Sequence, residues 1–545
     1  MSISKYIGTV GAAVAVLGAV ACSGGNETPS NSSTTGGAGT GPGGGGKAGG
    51  TSVGSGGMGA GATSGAPSAV GGTGGAAASG GSSGASAAGG MPSAGGPQAG
   101  GTAGMSAGGG TGATAGTGAA GMPAMGGGAG MGTGGTGDPP TPSGSLFTVA
   151  SMLASAVDAK APTTVGIVTW SAATLTVTSA YLEFGKDTTY GMKAPVDLAQ
   201  ADYRTLLLGM KPMTTYHFRV VASDGSKQYA SDDYTIETGA ATTAVKIGKF
   251  DVKQDTGRER GFIVVSYWAG TGGSVAFILD ADGDIVWAYD LGMSGGIARA
   301  KMSYDGQNMW AVTADNNGQP IRRVGMDGLN AQTYSSTKSS HDIAAVSGST
   351  MAYLDYSVSC NDITEIDPSG TTKKIFTASG TFGNQCHGNA LRYSEAEDEY
   401  SFGVVDKDVI RVSRAGAKTW SLATTVMGGN TSWGGVNHGH HFLADSVLIF
   451  ANKGGANGSS AMIEYDFTGK ELSSYEAALT SANLGDVQRL PGGNTLVDFS
   501  NADTIHQIDS KGTLLVEITG PATQNRFGYA TWRPTLYGPS PDITD

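Results

Sequence analysis

The sequence predicts an all-β protein whose C-terminal half is a six-bladed β-propeller. An apolar or aromatic residue, a mostly acidic one, two variable residues and a glycine recur six times, ending at Gly283, Gly328, Gly370, Gly416, Gly469 and Gly512. These glycines lie 45, 42, 46, 53 and 43 residues apart, and a period in the forties within β-rich sequence is typical of propeller blades. Asp and Gly supply hairpin-turn geometry, so each copy of the pattern predicts a turn between two strands. We call the six glycines the marked glycines. We therefore expect six blades over residues 246–535.

The first residues predict export. Lys5 precedes an apolar run at residues 10–20, which is a secretory signal pattern and too short to span a bilayer. The small residues before Cys22 resemble the cleavage site of a bacterial lipoprotein signal. That resemblance implies removal of residues 1–21, lipidation of the Cys22 sulfur, and attachment to the cell membrane or outer membrane, facing the periplasm or the cell surface. An ordinary signal peptide with a chance cysteine is the alternative.

Residues 22–143 are predicted to be a disordered Gly/Ala/Ser-rich linker. Between Ser23 and Phe147 there is no aromatic residue, and the charged residues are Glu27, Lys47 and Asp138. Such a segment buries too little apolar surface to offset its ordering entropy. We expect a flexible spacer behind the lipid anchor; a self-associating glycine-rich segment is the alternative.

The net charge argues against a nucleic-acid-binding protein, and the cysteines indicate one disulfide. The net charge of −12 argues against nucleic acid as a partner, because phosphate backbones are bound by clustered Lys and Arg. Beyond Cys22 the cysteines are Cys360 and Cys386. In an exported protein this even pair predicts one disulfide that closes a loop of about 25 residues, although two buried thiols remain the alternative.

Residues 144–240 are predicted to form a β-sandwich. The stretch LGMKPMTTYHFRVVA around Tyr216 resembles the core of a fibronectin type III domain. The resemblance implies that the Tyr216 hydroxyl bonds to upstream backbone. Alternation along the strand places Tyr216, Phe218 and Val220 in the core and His217 on the surface. Such a sandwich is expected to space or present the propeller.

Histidines mark the predicted axis of the propeller. Of seven in the chain, six lie in its C-terminal half. His341 and His387 each precede their marked glycine by 29 residues, and His438 does so by 31. The first residues of innermost strands lie at one mouth of the channel, so we expect these three to converge there as nucleophile, proton carrier or ligand. His440 is 29 residues from its glycine and is the alternative to His438. The alternative without a function is that each histidine only hydrogen-bonds to the backbone of a turn.

Four segments of residues 246–535 resemble bacterial arylsulfate sulfotransferases. The sequence DADGDIVW from Asp280 is similar to their "D-x-D-G-x-I-V-W" blade, and His387-Gly388-Asn389 is similar to their "H-x-N" motif. Asn437-His438 followed by LIFAN resembles their "Q-H … L-F-D-N" blade, and residues 485–496 resemble their final blade. The resemblance implies an exported six-bladed propeller that needs no diffusible cofactor. It also implies sulfuryl transfer from a phenolic sulfate donor to a phenolic acceptor through a sulfated histidine.

The resemblance assigns roles to particular residues. His438 would be the nucleophile, and His341 and His387 would bind the sulfuryl oxygens or move the phenolic proton. Asn389 would orient a group or donate a hydrogen bond. Neutral imidazole can attack sulfur while donor groups stabilise its oxygens.

The chain departs from the family pattern at two positions. The family places an arginine in an "S-x-R" setting after the "H-x-N" motif, where this chain has FGVVDKD with Asp406 near that slot. Lys407 and Arg411 are the candidates to replace the arginine, although lysine is not a bidentate fork. Ala451 stands where the family has the aspartate of "F-D-N".

Two other functions compete with the enzyme. A propeller without the arginine could bind a ligand, glycan or protein and perform no catalysis. Three imidazoles, from His341, His387 and His438, could instead hold zinc or copper together with Asp342 or Asp486. The sequence ranks sulfuryl transfer first, the binding propeller second and the metal site third.

Overall fold

The protein is described here by a computed structural model, which covers residues 140–241, 247–269, 274–315, 317–358, 360–384, 386–405, 407–423, 436–453, 458–521 and 525–539. The predicted signal peptide, Cys22, nearly all of the predicted linker and Asp406 lie outside these residues. The described chain is all-β and is built from several sheets. None of its helices has the length and apolar character needed to cross a membrane.

The first sheets lie in residues 141–237. In this part of the described chain the strands are β1 (Thr141–Pro142), β2 (Phe147–Leu153), β3 (Gly166–Ala172), β4 (Ser179–Gly185), β5 (Met192–Pro195), β6 (Thr205–Leu207), β7 (Thr215–Ser223), β8 (Gln228–Ala230) and β9 (Tyr234–Glu237). One sheet has the order β1-β8-β7-β4-β5 with β9 also on β7, and the other has the order β2-β3-β6. Short helices are α1 (Ala154–Val157) and the 3-10 turns Gly144–Leu146 and Ala201–Tyr203.

Strand β7 shows the predicted alternation. Tyr216, Phe218 and Val220 are fully buried, whereas His217 and Arg219 are partly exposed. The Tyr216 hydroxyl accepts a hydrogen bond from the Lys211 backbone N–H at 2.9 Å. The predicted contact between this tyrosine and upstream backbone is therefore confirmed.

The strands of the second part follow a regular meander. They are β10 (Asp251–Lys253), β11 (Phe262–Ala269), β12 (Val275–Leu279), β13 (Ile285–Asp290), β14 (Arg299–Met302), β15 (Asn308–Val312), β16 (Gln319–Gly325), β17 (Gln332–Ala345), β18 (Met351–Asp355), β19 (Asp362–Ile366), β20 (Thr372–Phe376), β21 (Gly388–Ser394), β22 (Glu399–Val404), β23 (Asp408–Ser413), β24 (Lys418–Ala423), β25 (Asn437–Phe442), β26 (Ser446–Ala451), β27 (Ala461–Asp466), β28 (Glu471–Glu476), β29 (Asp486–Arg489), β30 (Thr495–Phe499), β31 (Thr504–Ile508), β32 (Leu514–Thr519), β33 (Arg526–Phe527) and β34 (Thr531–Arg533). Helix α2 (Ser379–Phe382) and a 3-10 turn at Ser500–Ala502 interrupt them.

The meander divides into antiparallel sheets of neighbouring strands. Strands β14 to β17 and β17 to β20 share the long strand β17, and β21 to β24 and β25 to β28 form separate sheets. The two ends of the meander exchange strands: β10 pairs with β32 of the last sheet, and β33 and β34 pair with β11 of the first. Strand pairing therefore joins the last sheet to the start of the meander and the first sheet to its end.

The six marked glycines form six similar turns. The backbone N–H of each donates to the carbonyl three residues earlier, at 2.7–3.1 Å. Each has a φ between 75° and 90°, a conformation that glycine adopts without steric cost. Each turn connects two paired antiparallel strands, as the repeat predicted.

The first marked turn also fastens the two parts of the described chain together. The Lys211 ammonium lies 2.8 Å from Asp280, 2.9 Å from Asp282 and 2.5 Å from Asp284. Burial lowers the lysine pKa, but the three carboxylates outweigh it and the pKa rises above its usual value. This turn therefore carries a charge network besides its backbone geometry.

Cys360 and Cys386 lie at disulfide distance. Their Cα atoms are 4.7 Å apart, and Cys360 precedes β19 whereas Cys386 precedes β21. This distance is the one that the predicted disulfide requires, and the pair joins the starts of two sheet segments.

Candidate functional site

Six strands of the meander pack next to one another in sequence. Strand β14 contacts β17, β17 contacts β21, β21 contacts β25, and β25 contacts β29. Hydrogen bonds join Gln488 of β29 to Trp532 of β34, and Arg299 of β14 to Thr531 of β34. These contacts and hydrogen bonds connect the six strands in a ring. His387 directly precedes β21, His438 is the second residue of β25, and His341 is the tenth residue of β17.

His341 and His387 are in direct contact. Their Nε2 atoms are 3.1 Å apart and their rings are nearly perpendicular, at 89°. His341 lies inside β17 with a φ of 64°, and its backbone N–H donates to Thr313 at 2.7 Å. The Tyr356 ring stacks on the His341 ring at 5.3 Å. A left-handed residue inside a strand carries strain, and this conformation turns His341 towards His387.

Two hydroxyl groups contact Nδ1 of His341. Its Nδ1 lies 2.8 Å from both Ser340 Oγ and Tyr356 Oη. The Ser340 hydroxyl donates to the Thr313 carbonyl at 3.1 Å, and the Tyr356 hydroxyl donates to the Gly388 carbonyl at 2.8 Å. When both hydroxyls donate to these carbonyls, their oxygens accept from His341, and the neutral ring then carries its proton on Nδ1. Its Nε2 is then the acceptor for the N–H of His387.

Asn452 assigns the tautomer of His438 in the same way. The Asn452 amide NH₂ donates to the carbonyls of Ser481 at 2.7 Å and Leu484 at 2.8 Å. Its Oδ1 then faces His438 Nδ1 at 2.7 Å and can only accept a hydrogen bond. The neutral ring of His438 therefore has Nδ1–H, and Nε2 holds the lone pair.

Burial keeps these imidazoles neutral near pH 7. Burial lowers the pKa of His438 to about 4, and the Asn452 hydrogen bond opposes this only in part. Burial, followed by repulsion from His387 and His438, holds the pKa of His341 well below its usual value. Burial also lowers the pKa of His387, which is the most accessible of the three. Neutral imidazole is the nucleophilic form.

Asn389 supports the strand that carries His438. Its Nδ2 donates to the Asn437 carbonyl at 2.6 Å, and its own carbonyl accepts from the Tyr529 hydroxyl at 2.8 Å. The Tyr529 ring lies 6.4 Å from the His438 ring. Asn389 Oδ1 is buried and has no hydrogen-bond partner among the described residues. Asn389 thus joins the histidine cluster through backbone contacts.

His438 and His440 have different surroundings in the structure. His440 is fully buried, and its Nε2 lies 2.8 Å from Ser401 Oγ on the neighbouring sheet. Burial lowers its pKa to about 3. His441 projects elsewhere again and accepts from the Arg489 backbone N–H at 2.8 Å. Of the two alternatives for the nucleophile, His438 is the one with its tautomer set by a side-chain amide.

The two candidates to replace the family arginine are engaged elsewhere. The Lys407 ammonium donates to the Phe382 carbonyl at 2.9 Å. Arg411 forms ion pairs with Glu397 and, at 2.9 Å, with Glu399. Both cations therefore already have protein partners in this structure.

A buried ion cluster underlies the histidines. Arg299 is fully buried, and its guanidinium lies 2.7 Å from Asp342 and 2.8 Å from Asp486. Arg392 lies 2.6 Å from Asp486. Asp342 directly follows His341 in the chain and also accepts from the Leu391 N–H at 2.9 Å. This cluster ties four of the ring strands together.

Sequence reasoning missed several residues of the site. Asn452 stands in the segment that carried the family resemblance, so its role could have been proposed from that segment. Tyr356, Ser340 and Arg299 belong to no motif or register, and only the folded chain brings them to the histidines. In the described ranges there is no group of three His, Cys, Asp or Glu side chains suited to holding a metal ion.

Comparisons with known proteins give no family. No protein-family model and no curated protein sequence matches the chain. Among solved structures it is similar to a nidogen/laminin complex, with 11% identity over 50% of this chain and 98% of that one and a TM-score of 0.38. TolB from Acinetobacter baumannii (11%, covering 60% and 80%, TM-score 0.35) and streptogramin B lyase (12%, covering 52% and 98%, TM-score 0.36) are further neighbours. Nothing about activity follows from identities this low.

Proposed function

We propose that the chain is a cell-envelope-tethered arylsulfotransferase-like enzyme: a lipid-anchored linker, a fibronectin type III-like sandwich and a six-bladed β-propeller. Six similar turns, a ring of six strands and the exchange of strands between the two ends of the meander support the propeller. The contact from Tyr216 to upstream backbone supports the sandwich. The substrates are a phenolic sulfate donor and a phenolic acceptor.

One observation carries the proposed activity: Asn452 fixes the proton of His438 on Nδ1 at a site that keeps the ring neutral. A nucleophilic imidazole needs its second nitrogen unprotonated, and an acceptor that bonds to Nδ1–H selects that form. The neighbouring His341–His387 pair supplies a group that can hold a proton beside this nucleophile.

In the first half-reaction His438 Nε2 forms a bond to sulfur while the bond from sulfur to the phenolic oxygen breaks. The departing phenolate needs a proton, and a neutral His341–His387 pair cannot give one without forming an imidazolate. The donor ester must therefore bind together with one extra proton on the pair. That proton offsets the negative charge of the ester, in place of the absent arginine, and then passes to the phenolate.

The second half-reaction reverses these steps. The acceptor phenol gives its proton to the neutral pair and attacks sulfur, and the bond between sulfur and Nε2 breaks. His438 returns to its neutral form with Nδ1–H still bonded to Asn452. Because the two phenols occupy the site in turn, the kinetics are ping-pong.

The test is release of 4-nitrophenolate from 4-nitrophenyl sulfate by the full-length protein, with phenol as acceptor. We expect acceptor-dependent release that disappears in His438→Gln. The matched control is His440→Gln, because His440 is an equally buried histidine on the same strand. Full activity in His438→Gln, or loss only in His440→Gln, would contradict the assignment.

The protonated pair also predicts the pH dependence. Since the pKa values of His341 and His387 are lowered, the proton-carrying form becomes rarer as pH rises. We expect kcat/KM to fall about tenfold per pH unit above neutrality, as a single required proton dictates. A flat profile between pH 7 and 9 would remove the pair from the reaction.

A non-catalytic binding propeller is the second candidate, and the contacts of Lys407 and Arg411 favour it. With both cations engaged elsewhere, no replacement for the family arginine stands among the predicted residues. Failure of the folded protein to turn over several aryl sulfates at pH 5.5 to 7 would favour this function.

A further inference from the structure

The opposite end of the strand ring contains an open cavity of about 110 Å³. Each of the six ring strands contributes at least one lining residue, and among these are Lys301, Ala345, Arg392, His441, Gln488 and Thr531. None of the three catalytic histidines lines it. This cavity, which we call the distal cavity, is therefore distinct from the proposed active site.

Lys301 is the unusual group in the distal cavity. It lies on β14, two residues after Arg299, and is only partly buried. It has no hydrogen bond or ion pair with any residue that the structure describes, whereas both arginines nearest to it are paired. Glu395, Glu397 and Glu399 also line the cavity, but no described carboxylate lies within ion-pair distance of the Lys301 ammonium. Its charge is therefore one that a ligand can neutralise.

The charges around Lys301 show that its positive charge lacks a negative partner. Arg299 and Arg392 share the two buried carboxylates of Asp342 and Asp486, so those charges already balance. Burial and the nearby Asp486 raise the pKa of Asp498 well above its usual value, which favours its uncharged form. One positive charge, that of Lys301, therefore has no counterpart within this buried cluster.

Burial and the two arginines lower the pKa of Lys301 to about 7, although Asp342 and Asp486 oppose the shift. His441, on the opposite wall, also has a lowered pKa because of burial. Without a ligand the ammonium thus loses much of its charge near neutrality. A bound anion restores that charge because opposite charges favour the ionised form.

The walls limit the class of anion. Arg411 at the rim is already paired with Glu397 and Glu399, and Glu395 lines the same side. These acidic groups repel anions, and they repel a dianion more strongly than a monoanion. The remaining wall includes the aromatic rings of Tyr304, Tyr393 and Phe442. A monoanion with an apolar part suits this lining better than sulfate or phosphate.

We propose that the distal cavity is a binding site for a small monocarboxylate, held by an ion pair between its carboxylate and Lys301. The small volume limits the ligand to a few carbon atoms. The carboxylate lies at the floor beside Arg392, and the apolar part lies against the aromatic wall.

The test measures protection of Lys301 in the full-length protein. Reductive methylation with formaldehyde and cyanoborohydride at pH 7 is quantified by mass spectrometry, at ionic strength held constant with chloride. Calorimetry supplies the Kd for acetate. At acetate tenfold above that Kd, methylation of Lys301 should fall about tenfold by mass action. Exposed Lys418 is the internal control and should react at an unchanged rate.

Three comparisons decide the outcome. Acetamide, the neutral isostere of acetate, should give no protection, and sulfate should protect far less than acetate. Lys301→Met should abolish acetate binding in calorimetry, whereas Lys418→Met should keep it. Equal protection by acetamide or by sulfate, or parallel protection of Lys418, would overturn the proposal. If Lys301→Met does not fold, protection in the natural chain still decides it.

Discussion

His440 should make the protein sensitive to acid, and His440→Gln should remove part of that sensitivity. Burial, assisted by the charge of Arg392, lowers the pKa of His440 to about 3, against an ordinary value of 6.5. Between these two values the unfolded chain binds more protons than the folded one. Stability contributed by the neutral ring is therefore complete above about pH 6.5 and is lost as pH falls.

The magnitude follows from the two pKa values. At pH 5 an unfolded histidine is almost fully protonated, while His440 in the folded protein is almost fully neutral. The free energy of unfolding therefore decreases by about 2 kcal/mol for this one residue between pH 7.5 and pH 5. His438, with a pKa of about 4, contributes a similar amount in the same direction. Asp503, whose pKa is raised to about 6 by burial, opposes them both.

The assay compares urea unfolding of the natural chain and of His440→Gln at the two pH values, followed by tryptophan fluorescence. Because Asp503 and His438 are present in both proteins, their contributions cancel in the difference. The natural chain should lose about 2 kcal/mol more than the variant. His217→Gln is the matched control, since His217 is a partly exposed histidine that pairs with Asp233. An equal acid loss in the natural chain and in His440→Gln would refute the reasoning.

Three further predictions concern the framework of the site. Asn452→Leu should leave the Nδ1–H of His438 without its acceptor, so the proton should move to Nε2. ¹⁵N spectra should show this change, and nitrophenolate release should fall at least a hundredfold. An unchanged tautomer would contradict this prediction. Arg299→Met should destabilise the fold by about 3–5 kcal/mol in urea, because two buried carboxylates lose their partner; a cost below 1 kcal/mol would show that the cluster is not coupled. Cys360→Ser together with Cys386→Ser should lower the free energy of unfolding by about 3 kcal/mol, and a reducing agent should then have no further effect.

The turns of the second half could be predicted from the sequence because their information is local. A glycine with positive φ and an acidic residue before it give the same turn wherever they occur, so the spacing of the marks revealed the hairpins. Alternation of buried and exposed residues around Tyr216 was predictable for the same reason, since a strand has a period of two.

The equivalent positions of His341, His387 and His438 in their repeats could also be predicted from the sequence. Their protonation could not. The protons on His341 and His438 depend on oxygens of Tyr356 and Asn452, which the chain places 15 and 14 residues away. No local pattern shows that the Asn452 amide is held by two carbonyls from a following loop. The choice between His438 and His440 likewise depended on which neighbouring sheet each ring faces.

The sequence by itself determined the all-β class, the repeated hairpins, the single cysteine pair and the approach of three histidines, because each follows from local conformation or from a repeated register. Only the tertiary structure decided which nitrogen of each imidazole carries a proton, how Arg299 balances two buried carboxylates, and why Lys301 lacks a partner. Those properties depend on charges and hydrogen bonds between residues far apart in the chain, and burial in a medium of low dielectric makes these interactions strong enough to set protonation.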